Sequence, residues 1–308
     1  MRHGYDLRGF SMKRADGFTL VEMVAVMSIT ALVAAMAAVF LRAPLQSYQD
    51  TERRAAMTDA ADTAFVLMKR DLQNALPNSV RIAMAGSVVY LEMLSMRSGG
   101  RYRANAALPG LASGPGTCPD VNGNASADEN ALQFGIADSC FTSLGNVPGL
   151  AGIVPGSDFV VVYNLGSGFL NADAYSSGNA TGGNKSLITS VATGVGGENV
   201  IAFESTSFNL DSPGRRFQVV SGPVTFVCDP TAGTLSRISG YAITAAQLTP
   251  PVGATALLAK GVTACTLTYD QNVINQRNGI VSIWLRLTDP GGGAIVSLFQ
   301  QVQVSNLP

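Results

Sequence analysis

From Phe18 to Leu41 the chain runs for 24 residues with one ionisable side chain, Glu22. As a helix rising ~1.5 Å per residue this run is about 36 Å long, enough to cross a hydrocarbon core of ~30 Å. A carboxylate four residues inside such a run is costly unless something compensates it. The run is predicted to be a helix in apolar surroundings, and Glu22 needs a compensating partner.

The residues in front of it have a different character. Residues 1–17 carry Arg2, Arg8, Lys13 and Arg14 against Asp6 and Asp16, a net of +2. A basic stretch ahead of an apolar run is the signature of a targeting segment whose positive end stays cytoplasmic. A secretory signal would have a shorter apolar region closed by a small-residue cleavage site. Here Leu41-Arg42-Ala43-Pro44 follows, and the small residue, Gly17, stands in front. The run Gly17-Phe18-Thr19-Leu20-Val21-Glu22, with the apolar helix behind it, resembles the type IV prepilin signal; the rival reading is a plain membrane anchor. The resemblance implies that a prepilin peptidase cuts between Gly17 and Phe18, that Phe18 is then N-methylated, and that Glu22 is the fifth mature residue. The freed α-amine of Phe18 would be a positive charge among packed apolar helices, which a carboxylate on a staggered neighbour can neutralise. At an effective dielectric of ~20 a contact of ~4 Å is worth about 4 kcal/mol. The pair then favours one axial stagger, as polar groups do in apolar seams. On this reading Glu22 guides assembly and does no chemistry.

Pro44 is predicted to bend the helix, because it lacks a backbone donor and clashes with the preceding turn. Beyond it Ala61, Phe65, Met68, Leu72 and Leu76 recur at spacings of three and four, a helical stripe. Asp59, Asp62, Lys69 and Gln73 fall largely on the other side, and Pro77-Asn78 is predicted to end the run. Strands are predicted at 79–84, 87–94, 158–165, 199–203, 216–220, 224–228, 264–269, 279–287 and 294–305, β-branched or aromatic runs bounded by Gly, Pro, Asn or Asp. The last two read as a hairpin. Long loops are predicted at 98–130 and 166–198, consistent with 33 glycines and 14 prolines in the chain. The domain reading is a leader, 1–17; a transmembrane or filament-spine helix, 18–43; an amphipathic helix continuing into the head, 44–77; and a β-rich head, 78–308. The predicted class is α+β: a pilin-like fold with a long kinked N-terminal helix, transmembrane in its first half, packed on a mostly antiparallel sheet.

Net charge is −1 for the whole chain and −3 once the +2 leader is removed. No basic stripe supports nucleic-acid binding. Arg97, Arg101 and Arg103 flank a glycine pair and read as a solvated loop in preference to a phosphate site. The only histidine, His3, lies in the leader, which removes the usual general base and the Ser-His and Cys-His nucleophile pairs from the mature chain. No catalytic frame and no cofactor are predicted. Asp120, Asn122 and Asn124, with Asp128 and Glu129 after them, form the best Ca²⁺-like cluster, but Gly123 stands at the fourth position of the loop instead of the sixth, and no glutamate closes it at the twelfth. Cys118, Cys140, Cys228 and Cys265 all follow the apolar run, and none forms a C-x-x-C. Four cysteines allow three pairings; proximity favours Cys118–Cys140, stapling a loop, and Cys228–Cys265, linking two strands of a C-terminal sheet. Such bridges suit an oxidising periplasm.

Further stretches, 158–166, 212–217, 222–229, 233–241, 257–270 and 301–308, resemble the minor pilins of the MSHA (mannose-sensitive haemagglutinin) biogenesis protein O group, relatives of the J-type minor pseudopilins of type II secretion. That resemblance places a disulfide at the second cysteine pair. It implies a minor pilin that helps initiate or cap an MSHA-type pilus, with other major and minor pilins, the prepilin peptidase, the inner membrane and the assembly platform as partners. A head of about 230 residues is bulky for a repeating lattice, which favours a minor subunit. The expected location is the inner membrane, spanned once, with the head in the periplasm and then at the pilus or cell surface. A type II secretion pseudopilin and a tip adhesin head are the alternatives.

Overall fold

A computed structural model of the chain describes residues 17–103, 118, 130–176, 183–271, 278–291 and 293–308. The chain divides into two compact units, Met1–Glu52 and Arg53–Pro308. Helix α1 (Leu20–Gln73) begins in the first and ends in the second. No glycine interrupts it, and its apolar part is rich in Ala, Leu, Val and Met, so propensity and composition agree. The polar groups within that part are satisfied locally. Ser28 donates its hydroxyl to the Val24 carbonyl (2.9 Å) and Thr30 to that of Val26 (2.7 Å), the arrangement a helix needs where no water can help. Pro44 lies inside α1.

In the second unit the helical stripe behaves as its period requires. Ala61, Phe65, Met68 and Leu72 are buried, while Asp59, Asp62, Lys69 and Gln73 are exposed. The helix ends at Gln73, ahead of the predicted Pro77-Asn78 stop. The reason is strand-like pairing of the next residues: the Leu76 N–H donates to the Leu94 carbonyl (2.8 Å), the Met96 N–H donates to the Asn74 carbonyl (2.9 Å), and the Asn74 side-chain amide donates to the Met96 carbonyl.

Nine strands form one antiparallel sheet: β1 (Arg81–Ala85), β2 (Val88–Arg101), β3 (Asp138–Thr142), β4 (Phe159–Val162), β5 (Lys185–Thr193), β6 (Asn199–Thr206), β7 (Arg216–Asp229), β8 (Thr234–Ser239) and β9 (Ala254–Lys260). Their order is β1-β2-β7-β4-β5-β6-β3, with β8 and then β9 branching from β7. A second sheet, β10-β11-β12 (Val262–Asp270, Asn278–Thr288, Ile295–Ser305), contains the C-terminal hairpin. Strand β7 organises the whole unit. One edge pairs with β2 over nearly its full length, whereas the other pairs with β4 over 217–220 and with β8 over 224–229.

Several expectations are corrected here. The predicted strands 216–220 and 224–228 are one strand, because Gly222 (φ 127°) and Pro223 still pair with Ser95 and Leu94, and the adjacent register shift leaves out only Ser221. Strand β4 is shorter than 158–165; Tyr163, at φ 53°, ends it. Strand β2 extends into the predicted loop 98–130, and β5 lies within the predicted loop 166–198. Strands β3, β8 and β9 are additional. The alanines and lysine of β9 and the serines of β8 give little intrinsic β signal, so pairing of β8 with β7, and of β9 with β8, decides them.

One core joins the helical stripe to Leu91 and Met93 of β2, Phe226 of β7 and Ile283 and Leu285 of β11. A second, aromatic core holds Tyr102, Phe141, Phe203, Phe208 and Phe217, with Phe141 and Phe217 edge-to-face at 4.9 Å between centroids. On the remaining face of β2, Glu92 is buried at 1% exposure. Arg81 pairs with it (2.6 Å) and stacks on the Tyr175 ring, 3.5 Å from its centroid. Tyr241 (3.0 Å) and Thr225 (3.3 Å) donate hydroxyls to the second carboxylate oxygen. The remaining Arg81 donors hold the carbonyls of Thr244 (2.9 Å) and Ala245 (2.7 Å), tying residues 240–247 across the sheet.

Two outcomes follow for chemical denaturation of the full chain. Met68→Ala is expected to cost about 2–5 kcal/mol as a core truncation, and Asp62→Ala, exposed on the opposite side, to fall within about ±0.5 kcal/mol. Arg81→Met, which strips a buried carboxylate of its cation, is expected to cost about 3–5 kcal/mol, and Arg81→Met/Glu92→Met to recover part of that loss.

Candidate functional site

The N-terminal motif lies at the start of α1. Gly17, Phe18 and Thr19 precede the helix, and all three are exposed. Thr19 caps it: its hydroxyl oxygen accepts the Glu22 N–H (3.3 Å), and its carbonyl accepts the Met23 N–H (3.1 Å). Thr19 and Glu22 therefore stand at N-cap and N3, the spacing of a capping box. The helix dipole favours the Glu22 carboxylate in this first turn. The sequence reading assigned no role to Thr19, although the T-x-x-E spacing itself is the signal. A side chain at Gly17 would meet nothing within 4 Å, so nothing in the described chain requires glycine there. The peptide bond between Gly17 and Phe18 lies in non-helical, exposed chain, the form a peptidase can bind in extended conformation.

Behind the motif, α1 presents a surface apolar all round, with Leu20 and Phe40 each at least 80% exposed. An 18-residue window of it reaches a mean hydropathy of 2.5 with none of it buried. An exposed apolar surface of this extent needs lipid or other apolar helices against it.

Of the other sequence-predicted residues, Pro44 lies inside α1 and the cysteines belong to the second unit. Cys118 is joined to Cys140 of β3, and Cys228 to Cys265. The second bridge connects β7 of the large sheet to β10 of the small one, and so links two sheets, where the sequence reading had two strands of one. Asp120, Asn122, Asn124, Asp128 and Glu129 lie outside the described residues. Among the described residues no three His, Cys, Asp or Glu side chains gather as a metal would require. The arginine trio is not a solvated loop. Arg97 and Arg101 lie on β2, and Arg97 pairs with the fully buried Asp158 (2.7 Å), whose same oxygen accepts the Val154 N–H (2.8 Å). Arg103, just beyond the strand, pairs with Glu198.

The sequence reading missed the ionisable groups inside the head. Glu92 had a visible signal, an acid in the middle of the apolar run Val88-Val89-Tyr90-Leu91-Glu92-Met93-Leu94. Its oxygens are taken by Arg81, Tyr241 and Thr225, so the cluster is a closed polar network with no open position for a reacting atom. Burial pushes the Tyr175 and Tyr241 hydroxyls well up, Tyr241 against the lowering effect of its Thr225 hydrogen bond, and both stay protonated. Lys185 had no signal. Its ammonium donates to the carbonyls of Ala174 (2.7 Å) and Ser176 (2.8 Å), and burial lowers its pKa to about 8, against the opposing effect of Asp173.

Residues 12–38 match the family described as the prokaryotic N-terminal methylation motif. No curated protein and no solved structure matches the chain. The motif, the apolar helix behind it and the antiparallel head agree in kind, an α+β pilin-like fold. Together they support a type IV pilin-like protein, a pilin- or pseudopilin-type subunit with a structural role and a membrane-anchoring helix.

Proposed function

We propose that the chain is a minor pilin of an MSHA-type IV pilus, cut between Gly17 and Phe18, N-methylated on Phe18, and used to initiate or cap the filament. The observation that carries this reading is the methylation motif joined directly to a capped helix with an exposed apolar surface. Residues 1–17 act as the leader, 18–43 as anchor and filament spine, 44–77 as the amphipathic continuation, with Pro44 as its bend, and 78–308 as the head. The head stands in the periplasm while α1 spans the inner membrane, then at the cell surface. Glu22 serves the capped first turn within its own chain and, in a filament, neutralises the α-amine of a neighbouring Phe18. Its partners are the prepilin peptidase, the assembly platform and other pilins. The two disulfides suit an oxidising compartment, and the stretches 222–229 and 257–270 favour the MSHA group over other pilins.

Mass spectrometry of the N-terminal peptide, in sheared surface filaments and in membranes separately, tests this. The expected peptide begins at N-methylated Phe18 and is present in the sheared fraction. The processed peptide confined to membranes would indicate a secretion pseudopilin, and an intact Met1 in both fractions would overturn the pilin reading.

Two substitutions separate the roles of the motif. Gly17→Val is expected to abolish processing without changing the stability of the precursor, since the described chain leaves room for the side chain. Glu22→Ala is expected to leave processing intact and to reduce incorporation into filaments. Thr19→Val removes the cap, worth about 1 kcal/mol of local helix stability, and is expected to speed amide exchange in the first turn while incorporation stays closer to wild type than in Glu22→Ala.

A further inference from the structure

The branching of β7 opens a cleft. Its ladder to β4 ends at the Phe159–Val220 pair, and its ladder to β8 begins at the Ser239–Val224 pair. The backbone of residues 221–223 therefore has no strand partner on this edge, and the chain segments on either side diverge. Between them lies a cleft of about 790 Å³, bordered by Phe159, Leu187, Tyr241 and Ile243, within the size range of small-molecule sites. Gly222 and Gly240 lie at its margin with φ of 127° and 77°, values that bar most side chains and so keep the margin open.

Among the described residues one charged residue borders the cleft, Lys185. Strand β5 places it opposite Val161 of β4, on the same face as Phe159 and Leu187. Its residue exposure is 7%, and its Nζ lies 6.0 Å from the Phe159 ring centroid. The acceptors of its ammonium among the described residues, the carbonyls of Ala174 and Ser176, are neutral, and among those residues no carboxylate lies within ion-pairing distance of it. Asp173 acts on it only through space, its oxygens accepting the N–H groups of Gly168 and Tyr175. An ammonium has three donors, so among the described residues one remains after those two carbonyls. A buried cation with only neutral partners attracts an anion strongly, because little water screens it.

We propose that this cleft binds a small organic monocarboxylate, its carboxylate on the Lys185 ammonium and its apolar body against Phe159, Leu187 and Ile243. A single cation fits a single negative charge, and a second carboxylate would be left buried without a partner. The Tyr241 hydroxyl is committed to Glu92 and Thr225, so the cleft selects by charge and apolar shape.

The test uses the full chain in a nonionic detergent, with radiolabelled benzoate as the probe, benzyl alcohol as its neutral counterpart, and micelles alone as the blank in equilibrium dialysis. Benzoate is expected to bind saturably at one site. Lys185→Met is expected to weaken it about tenfold or more, the value of a charge-assisted hydrogen bond, and to leave benzyl alcohol unchanged. The pH profile of the wild type gives an answer that does not depend on the variant folding. Among the described residues the Asp173 carboxylate acts on Lys185 through space, and the Tyr241 hydroxyl, which burial keeps neutral, belongs to a residue bordering the same cleft. Benzoate stays anionic throughout, so its affinity is expected to fall as pH rises through about 8 and Lys185 loses its proton. No saturable binding at millimolar benzoate, equal affinity in a folded Lys185→Met protein, or a flat profile from pH 7 to 10 each overturns the proposal.

Discussion

The ladder between β2 and β7 supports everything else in the head. These are the two longest strands, 14 residues each, and β2 is buried on both faces over residues 89–94. One face receives the stripe of α1 through Leu91 and Met93, and the other carries Glu92, Leu94 and the segment that Arg81 ties down. Because side chains alternate along a strand, a slip of one residue would exchange Leu91 with Glu92 and ruin both faces together. The closed network around Glu92 therefore also fixes register: only one pairing of β1, β2 and β7 brings Arg81, Thr225 and Tyr241 to the same carboxylate.

From that ladder the remaining architecture branches. On its far edge β7 passes from β4 to β8, so the sheet divides toward the aromatic core around Phe141 and toward the core that the helix shares with β10–β12. The Cys228–Cys265 bridge closes the second branch by joining β7 to β10. The cleft beside Lys185 lies between the branches, and its apolar borders come from strands and from the segment that Arg81 holds. The first unit depends on none of this. Its capped first turn, its internally satisfied hydroxyls and its exposed apolar surface suit surroundings that only lipid or other helices can supply.

Legibility in the sequence followed the range of the forces involved. The stripe Ala61, Phe65, Met68, Leu72 was readable because a helix repeats every 3.6 residues whatever it packs against. The C-terminal hairpin was readable because β11 and β12 are β-branched and close in sequence. Strands β5, β8 and β9 were obscured by Ala, Ser, Lys and Thr, whose β state comes from a neighbour's edge. The division of 216–229 into two strands failed at Gly222-Pro223, since both residues keep their β2 partners and a bulge at Ser221 lets the strand pass what reads locally as a break.

By itself the sequence determined the N-terminal methylation motif and the helix behind it, down to the threonine and glutamate of the first turn. There each group's partner is three or four residues away, and the helix supplies the geometry. Only the tertiary structure decided that Glu92 is neutralised by Arg81, that Arg97 pairs with Asp158, and that Lys185 borders an apolar cleft. The two pairs join residues 11 and 61 apart, and a buried charge takes its partner from whichever strand the sheet lays beside it, which no local pattern records.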